Sequence, residues 1–347
     1  MFKNVYKNDA IKRAQHEAVR NAVGWYYYTH QLLEVTGEDA TAFLDKIHVN
    51  PIAKLKIGGA KYTTILNEDG IIIDDVIVFR LEENKYWIST LYVKKLIKWL
   101  DAHKGASKVE YKDITRITDM YSVQGPKSKD LLNCFLTENV DEQKFFTIRD
   151  NKIDNVPVKI SRTGYSGELG YEIYVASENK GLVESKLAEC GKAFGAIQIT
   201  EFQIMVWTLP SEKGYNLMCD IGGTNPFEAG FDGAIDWSKD FIGKAALEKV
   251  KAQAPKRQLL GFTVDDDAAH IAARDKGDAG AAVMVNGEEV GRVTKFTYGY
   301  TIGKSIGFAL VDRAKAKVGD KATINGNAAT LTDRIWYDVE NKRPLGK

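Results

Sequence analysis

A stretch of twelve residues, Arg162-Thr-Gly-Tyr-Ser-Gly-Glu-Leu-Gly-Tyr-Glu-Ile173, combines residue types that suit the binding of a flat ligand. Its three glycines allow left-handed backbone conformations and a close approach of the chain to a ligand. Its two tyrosines offer ring faces and hydroxyl groups. A buried carboxylate at Glu172 would accept two parallel hydrogen bonds from an amide-like edge. The alternative is a solvent-exposed glutamate on a strand.

Asp74 and Asp75 lie side by side in the apolar run from Ile71 to Phe79. The run reads as a buried strand, in which neighbouring side chains face opposite sides. Only one of the two carboxylates can therefore face a given cavity. A desolvated carboxylate there can hold a proton, orient reacting atoms or stabilise a cationic centre. In the alternative, one carboxylate pairs within the protein and the other is exposed at an edge.

The sequence lacks the patterns of several other chemistries. Its five histidines form no HxH or HExxH spacing, so it predicts no metal site. Ser166 lies outside a nucleophile elbow, because Glu168 stands where that motif needs glycine. A strand–GxGxxG–helix order is also missing, which argues against a nicotinamide or flavin module.

The composition is that of an ordinary globular protein of 347 residues, with 44% hydrophobic and 27% charged residues. A net charge of +1 argues against nucleic acid or an anionic membrane as a partner. The chain shows no signal peptide and no apolar run long enough to span a bilayer, so we expect it in the cytoplasm, with an organellar location left open. Three widely spaced cysteines, Cys134, Cys190 and Cys219, favour reduced thiols.

Helical and strand patterns alternate up to about residue 245, which predicts an α+β or mixed α/β region. Periodicity and turn residues predict helices at 8–23, 38–47 and 92–103, and strands at 25–35, 61–66, 71–79 and 85–90. After Ala254-Pro-Lys-Arg257, short strands alternate with Asn-Gly turns, as in a β-barrel or sandwich. We therefore divide the chain into residues 1–245 and a C-terminal domain at 256–347.

Motifs in one consistent order resemble those of the glycine-cleavage T-protein family, which includes aminomethyltransferases and folate-dependent demethylases. The segments that carry the resemblance are Gly70 to Val78, Tyr121 to Pro126, Arg162 to Ile173, Asn225 to Gly230, Asp240 to Leu247, Gly291 to Thr294 and Gly303 to Ala309. The resemblance implies a three-part cloverleaf, in which two interleaved α/β subdomains and a C-terminal β-barrel surround a channel for tetrahydrofolate. It also implies transfer of one-carbon units.

By the same resemblance, Asp75 is the catalytic position and Glu172 binds the pterin edge. Tyr62 and Tyr165 are the ring contacts for the pterin or the aminobenzoate. For both tyrosines, the alternative is a role in the core or at an interface. Glu228 more readily braces a turn than contacts a ligand.

This sequence departs from the family pattern at two places. The segment Tyr26-Tyr-Tyr-Thr-His30 replaces small polar groups with rings, and Val206 to Glu212 lacks the arginine that resemblance assigns to the folate tail. Pro210 should break or kink that helix, and Arg334, Lys342 and Arg343 are alternative anion contacts. The added rings suit a small cationic methylated donor.

We therefore predict a tetrahydrofolate-dependent demethylase acting on an O-, S- or N-methyl donor. A divergent aminomethyltransferase served by a lipoyl carrier protein is one alternative. A folate-binding protein without catalysis is the other.

Overall fold

Two β-sheets and a closed barrel form the scaffold of the computed structural model, which describes residues 5–28, 30–275 and 277–347. In the first sheet the strands run in the order β11-β1-β7-β10-β9-β8, and all neighbours are antiparallel except β1 and β11. Its strands are β1 Val23–Tyr28, β7 Thr118–Gln124, β8 Ile148–Ile153, β9 Val156–Ser161, β10 Gly170–Ala176 and β11 Ala196–Gln198.

The second sheet takes the segment of chain between β1 and β7, so the two sheets are interleaved along the sequence. Its order is β3-β4-β5-β2-β6, and every pairing is antiparallel. Its strands are β2 Gln31–Thr36, β3 Ala60–Leu66, β4 Ile72–Glu82, β5 Lys85–Thr90 and β6 Glu110–Asp113.

The C-terminal strands close into a barrel in the order β12-β15-β14-β13-β16-β17. The barrel strands are β12 Arg257–Val264, β13 Ala282–Val285, β14 Glu288–Gly299, β15 Lys304–Asp312, β16 Lys321–Ile324 and β17 Asn327–Thr332. The prediction of a barrel or sandwich is thus resolved in favour of the barrel, and the three-part α+β cloverleaf is confirmed.

Helices cover the outer faces of the two sheets and fill the space next to the barrel. They are α1 Ala10–Asn21, α2 Ala40–Ile47, α3 Val93–Lys104, α4 Ser128–Asn133, α5 Lys180–Gly191, α6 Leu209–Glu212, α7 Met218–Ile221, α8 Pro226–Ala229 and α9 Lys244–Gln253. A π-helical turn, Ile204–Thr208, runs directly into α6. Among the described residues, no helix has the length and apolar character to cross a membrane.

The inner faces of the two sheets pack against each other. Leu32, Phe79 and Trp87 of the second sheet meet Met120 and Tyr174 of the first sheet in a shared core. Separate cores lie on the outer faces: α4 and α5 cover the first sheet, and α2 and α3 cover the second. Polar side chains on the inner faces are therefore enclosed between two sheets.

Most predicted elements form close to their predicted bounds, with one correction. The β-prone run at 25–35 is two strands in different sheets, because the chain crosses over near His30.

The expectation of three reduced thiols is wrong. Cys134, at the end of α4, and Cys190, in α5, form a disulfide with 6.3 Å between their Cα atoms. Their 56-residue separation hid the packing of the two helices. Cys219 remains a free thiol.

Candidate functional site

Glu172 lies on the inner face of β10, with only 7% of its surface exposed. Its Oε2 accepts hydrogen bonds from Ser161 Oγ at 3.2 Å, Thr163 Oγ1 at 2.6 Å and Tyr174 Oη at 3.0 Å. Burial raises the pKa of the carboxyl, and these three donors oppose that rise. Oε1 accepts from none of the described residues, so it is the oxygen available to a ligand.

Strand alternation sends the neighbours of Glu172 to the other side of the sheet. Tyr171 and Ile173 pack into the outer core beneath α4 and α5. The predicted alternation is therefore confirmed, and the strand presents a single carboxylate to the space between the sheets.

Asp75 lies on the inner face of β4, opposite Thr64 of β3. Its Oδ2 accepts a hydrogen bond from Tyr62 Oη at 2.9 Å. Burial raises the pKa of Asp75 to about 6; the hydrogen bond from Tyr62 opposes the rise, and the negative charge of Asp220 adds to it. Asp75 is thus a carboxylate at neutral pH that takes up a proton in mild acid.

Asp74 faces the opposite side of β4 and is held by the protein. Its Oδ2 accepts from Thr90 Oγ1 at 2.7 Å, and its Oδ1 accepts from the Asp75 backbone N–H at 3.0 Å. Burial raises its pKa to about 7. Asp74 and Asp75 therefore face opposite sides of β4, as strand alternation predicted. Asp75 lies on the side of Tyr62, whereas Asp74 is hydrogen-bonded to Thr90 and to the backbone.

Tyr165 leaves the glycine-rich loop and donates a hydrogen bond to the backbone carbonyl of Asn216. Its ring stacks on Tyr215, with 5.6 Å between ring centroids and 19° between planes. The charges of Asp75 and Asp220 add to burial in raising its pKa well above the usual range. Tyr165 therefore lies within the electrostatic reach of Asp75, although one comes from the glycine-rich loop and the other from the second sheet.

Tyr62, the residue that donates to Asp75, also contacts Phe231. The two rings meet edge-on, with 5.7 Å between their centroids. Burial and the charge of Asp75 raise its pKa, and the positive charge of Arg334 lowers it. Tyr62, Tyr165 and Asp75 therefore lie near one another, and Glu172 lies on the inner face of the other sheet.

Arg334 follows the barrel and borders this space. Its Nη1 donates to Asn216 Oδ1 at 2.6 Å and its Nη2 to the Ala229 carbonyl at 3.1 Å. Gly230, with φ of +78°, is needed here because a Cβ at that position would stand 2.8 Å from Arg334 Nη2. Arg334 forms no ion pair with any described residue, so its charge is free to meet an anionic ligand. The other two alternatives differ: Lys342 pairs with Glu340 at the surface, and Arg343 is exposed.

A fully buried ion pair supports the Asp75 side of the site. Lys295 Nζ of β14 lies 2.8 Å from Asp220 Oδ2 of α7. Asp220 also accepts from Thr294 Oγ1 at 2.9 Å and from the Leu217 N–H at 2.8 Å. Since both side chains of this pair have hydrogen-bonding partners, the pair holds a negative and a positive charge in fixed positions near Asp75.

The helix that lacks the family's arginine is organised around a different arginine. Arg20 of α1 contacts Glu212 at 2.9 Å and Glu168 of the glycine-rich loop at 3.0 Å. The interactions with His16 and Arg20 lower the pKa of Glu212 to about 2 despite its burial. Pro210 does not break the helix, because the π-turn at 204–208 continues into α6, which contains the proline; the expected distortion takes the form of that π-turn.

The aromatic run at 25–28 divides between the two faces of β1. Trp25 and Tyr27 pack into the outer core with Tyr121. Tyr26 and Tyr28 face the inner side, where their rings meet edge-to-face at 5.3 Å. Half of the predicted aromatic entry thus reaches the inner side; Thr29 of that segment lies outside the described residues.

Glu228 braces its turn as predicted. It closes a capping box with Asn225 at the start of α8, and it forms a 2.8 Å ion pair with Arg257.

Comparisons with known proteins agree with this architecture. Residues 2–239 match the GCVT N-terminal domain, and residues 257–338 match the glycine cleavage T-protein C-terminal barrel domain. An aminomethyltransferase from Bacillus cytotoxicus is 34% identical over 90% of this chain and 85% of its own length. One from Caldanaerobacter subterraneus is 32% identical over 95% of this chain and 89% of its own. The crystal structure of the glycine cleavage system aminomethyltransferase T from Bartonella henselae covers 96% of this chain and 91% of its own, with a TM-score of 0.84 at 21% identity, and so supports the fold.

The fold and these matches define an enzyme that transfers one-carbon units with tetrahydrofolate as its cofactor. Within that class, the chain belongs to the glycine-cleavage T-protein family. The residues present fit the cofactor, because Glu172 Oε1 accepts from none of the described residues and the guanidinium of Arg334 forms an ion pair with none of them. In the described part of the chain, no group of three or more His, Cys, Asp or Glu residues is arranged to hold a metal ion.

Several residues around the site escaped the sequence analysis. Ser161, Thr163 and Tyr174 had a usable signal, because all three lie within eleven residues of Glu172 in the sequence. Asp220 and Lys295 had none, since their proximity depends on how the barrel packs against α7.

Proposed function

We propose that this protein is an aminomethyltransferase that moves an aminomethyl group from a lipoyl carrier protein to tetrahydrofolate. The supporting observation is that two carboxylates with different surroundings, the buried Glu172 and the half-buried Asp75, lie on the inner faces of the two sheets. The choice of donor rests on the aminomethyltransferase relatives, which match along most of their length.

The reaction requires that the C–S and C–N bonds of the aminomethyl group both break and that its carbon joins N5 and N10 of tetrahydrofolate. The two displaced N–H protons leave with ammonia and the dihydrolipoyl thiol, giving ammonium and a neutral thiol. Asp75 is the catalytic residue in this proposal. Its negative charge at neutral pH stabilises the donor's ammonium group and the positive charge that develops near it.

Glu172, Tyr165, Tyr62 and Arg334 hold the cofactor in the proposed arrangement. Glu172 Oε1 accepts hydrogen bonds from the amide-like edge of the pterin. The stacked pair of Tyr165 and Tyr215 and the ring of Tyr62 provide aromatic surface. Arg334 offers a planar fork to the carboxylates of the glutamate tail, a role that this family's missing helix arginine would otherwise fill.

Transfer from a small methylated donor stays a prediction and is the second candidate. The observation that favours it is the edge-to-face pair of Tyr26 and Tyr28 on the inner face of β1. Such rings suit a sulfonium or methylammonium group through cation–π contact.

One assay separates these functions. The protein is incubated with tetrahydrofolate and either an aminomethylated lipoyl carrier or methylated donors of the O-, S- and N-classes. Formation of 5,10-methylenetetrahydrofolate from the carrier supports the proposal. Formation of 5-methyltetrahydrofolate from a methylated donor, with none from the carrier, would replace it by the second candidate.

A further inference from the structure

The hydroxyl group of Thr64, in β3, lies directly across from the proposed catalytic residue. In the ladder between β3 and β4, Thr64 pairs with Asp75. Directly opposed residues of an antiparallel pair place their side chains on the same face of the sheet, with about 4.5–5.5 Å between their Cβ atoms. Thr64 is therefore a neighbour of Asp75 on the inner face of the second sheet.

This hydroxyl takes no part in the hydrogen bonding of the protein itself. Thr64 is 2% exposed, and its Oγ1 is buried without a hydrogen bond to any described residue. A hydroxyl can donate one hydrogen bond and accept others, and leaving it buried and unpaired is unfavourable. A ligand group bound at Asp75 would supply the missing partner.

Asp75 offers a second unused acceptor beside Thr64. Its Oδ2 accepts a hydrogen bond from Tyr62 Oη at 2.9 Å, whereas its Oδ1 accepts from none of the described residues. Asp75 is half-buried and Thr64 is buried, so a ligand meets the carboxylate first. Asp75 Oδ1 and Thr64 Oγ1 are thus two neighbouring acceptors, one of them charged and the other neutral.

The charge and the number of acceptors define the kind of group that fits here. Asp220 also acts on Asp75, but its charge is balanced by the ion pair with Lys295 at 2.8 Å. The net charge at the two acceptors is therefore that of Asp75, which favours a positive group. A group that satisfies both oxygens must also carry at least two hydrogen-bond donors, and a primary ammonium group has three.

We propose that Thr64 determines the specificity of the enzyme for an amine donor. Asp75 Oδ1 and Thr64 Oγ1 each accept an N–H of the donor's primary ammonium group and retain that group when the C–N bond breaks. This inference rests on the proposed function and assigns a residue to the selection of its donor. A sulfonium, a quaternary ammonium or an ether oxygen carries no N–H, so it would leave the hydroxyl of Thr64 unpaired.

Thr63, the preceding residue of β3, provides a matched control. It is also 2% exposed, and its Oγ1 is also buried without a partner among the described residues. It pairs with Val76, which packs into the outer core beneath α2 and α3. The two hydroxyls are therefore alike in burial, but they lie on opposite faces of the sheet.

Replacing either threonine by valine keeps the shape of the side chain and removes an unpaired buried hydroxyl. Such a change is nearly neutral or stabilising for the fold. Thr64→Val and Thr63→Val should therefore both melt at or above the wild-type temperature, so that a kinetic difference between them reports on the site.

The test uses the reverse reaction, from 5,10-methylenetetrahydrofolate, ammonium and free dihydrolipoamide. For Thr64→Val we expect the KM for ammonium to rise about fivefold, the effect of one lost hydrogen bond. The KM for dihydrolipoamide and the Kd for folinic acid should remain at their wild-type values. Thr64→Ser, which keeps the hydroxyl, should restore the KM for ammonium, and Thr63→Val should change none of the three constants.

Three outcomes would overturn the inference while leaving the proposed function intact. In the first, Thr64→Val behaves like Thr63→Val in every assay. In the second, it weakens folinic acid binding and leaves the KM for ammonium unchanged, which assigns the hydroxyl to the cofactor. In the third, the KM for ammonium is unchanged and the acid limb of the pH profile of kcat/KM moves, which makes Thr64 a support for Asp75 alone.

Failure of the proposed function has a different signature. A wild-type protein that binds folinic acid but never consumes ammonium with dihydrolipoamide would reject the aminomethyltransferase activity, and the inference with it.

Discussion

Glu172 is a buried carboxylate and Asp75 a half-buried one, and their surroundings are built in different ways. Every hydrogen bond to Glu172 comes from the same sheet or the loop after β9, from residues no more than eleven positions away in sequence. Asp75 receives one side-chain hydrogen bond, from Tyr62, and its pKa responds to Asp220 of α7 and to Lys295 of the barrel.

The two carboxylates are therefore suited to different roles: Glu172 to the recognition of a ligand and Asp75 to the reaction. Three donors fix Glu172 Oε2 in place and leave Oε1 directed to a ligand, as expected for a group that recognises a fixed hydrogen-bonding edge. Asp75 has fewer donors and a pKa of about 6, so its charge is retained at neutral pH but is sensitive to its surroundings. Removing Asp75 should therefore affect chemistry, and removing Glu172 should affect binding.

The largest expected effect is that of Asp75→Asn. Loss of the carboxylate charge should lower kcat by about 10²- to 10⁴-fold, the usual contribution of a positioned acid–base group. The Kd for folinic acid should change little, because Glu172 is intact. Asp74→Asn, on the opposite face of β4, is the control and should retain most activity. Near wild-type turnover by Asp75→Asn would end the assignment.

Glu172→Gln should show the reverse pattern. Replacing a charge-assisted acceptor by a neutral one should weaken folinic acid binding by about 10- to 100-fold, with a smaller change in kcat at saturation. Calorimetric titration measures this effect. Glu184→Gln is the matched control, since Glu184 accepts from Tyr121 Oη at 2.8 Å on the outer side of the same sheet. Equal losses in the two variants would contradict a specific role for Glu172.

The pH dependence of kcat/KM tests whether the pKa of Asp75 is raised. In the Asp74→Asn background, kcat/KM should fall as pH decreases through about 6, because Asp75 becomes protonated. Tyr62→Phe should move this limb to higher pH, since the hydrogen bond from Tyr62 lowers the pKa.

Stability should respond in the same pH range. The folded-state pKa of Asp75 is raised above its ordinary value of 3.8, so the folded protein binds this proton more tightly than the unfolded chain does. The contribution of Asp75 to the free energy of unfolding should therefore decrease as pH rises from about 4 to 6, and chemical denaturation of Asp75→Asn should lack this decrease. An unchanged pH profile in both assays would count against the raised pKa.

The smallest effect should come from Thr163→Val, which removes one of the three donors to Glu172. A single hydrogen bond contributes about 1 kcal/mol, so folinic acid affinity should fall about fivefold. Turnover at saturation should stay near wild type. Unchanged affinity would show that two donors are enough to hold Glu172 in place. The third hydrogen bond would then not contribute to ligand binding.

Short-range sequence patterns, such as strand periodicity and turn residues, were enough to predict most of the fold. The period of two in β4 placed Asp74 and Asp75 on opposite faces, and the turns at Asn-Gly predicted the hairpins of the barrel. The same periodicity could not show that the run at 25–35 is shared by two sheets, because each of its strands is amphipathic in the same way. Nor could it show that a π-turn accommodates Pro210, since that depends on the packing of the helix against α1 and β14.

What the sequence alone determined is the family, the α+β cloverleaf and the Glu172 side of the site, whose contacts are formed by residues close together in the chain. Tertiary structure decided the surroundings of Asp75, the pairing of Cys134 with Cys190 and the position of Arg334. These features join segments separated by tens to hundreds of residues, and local propensity and periodicity carry no information about which distant segments meet.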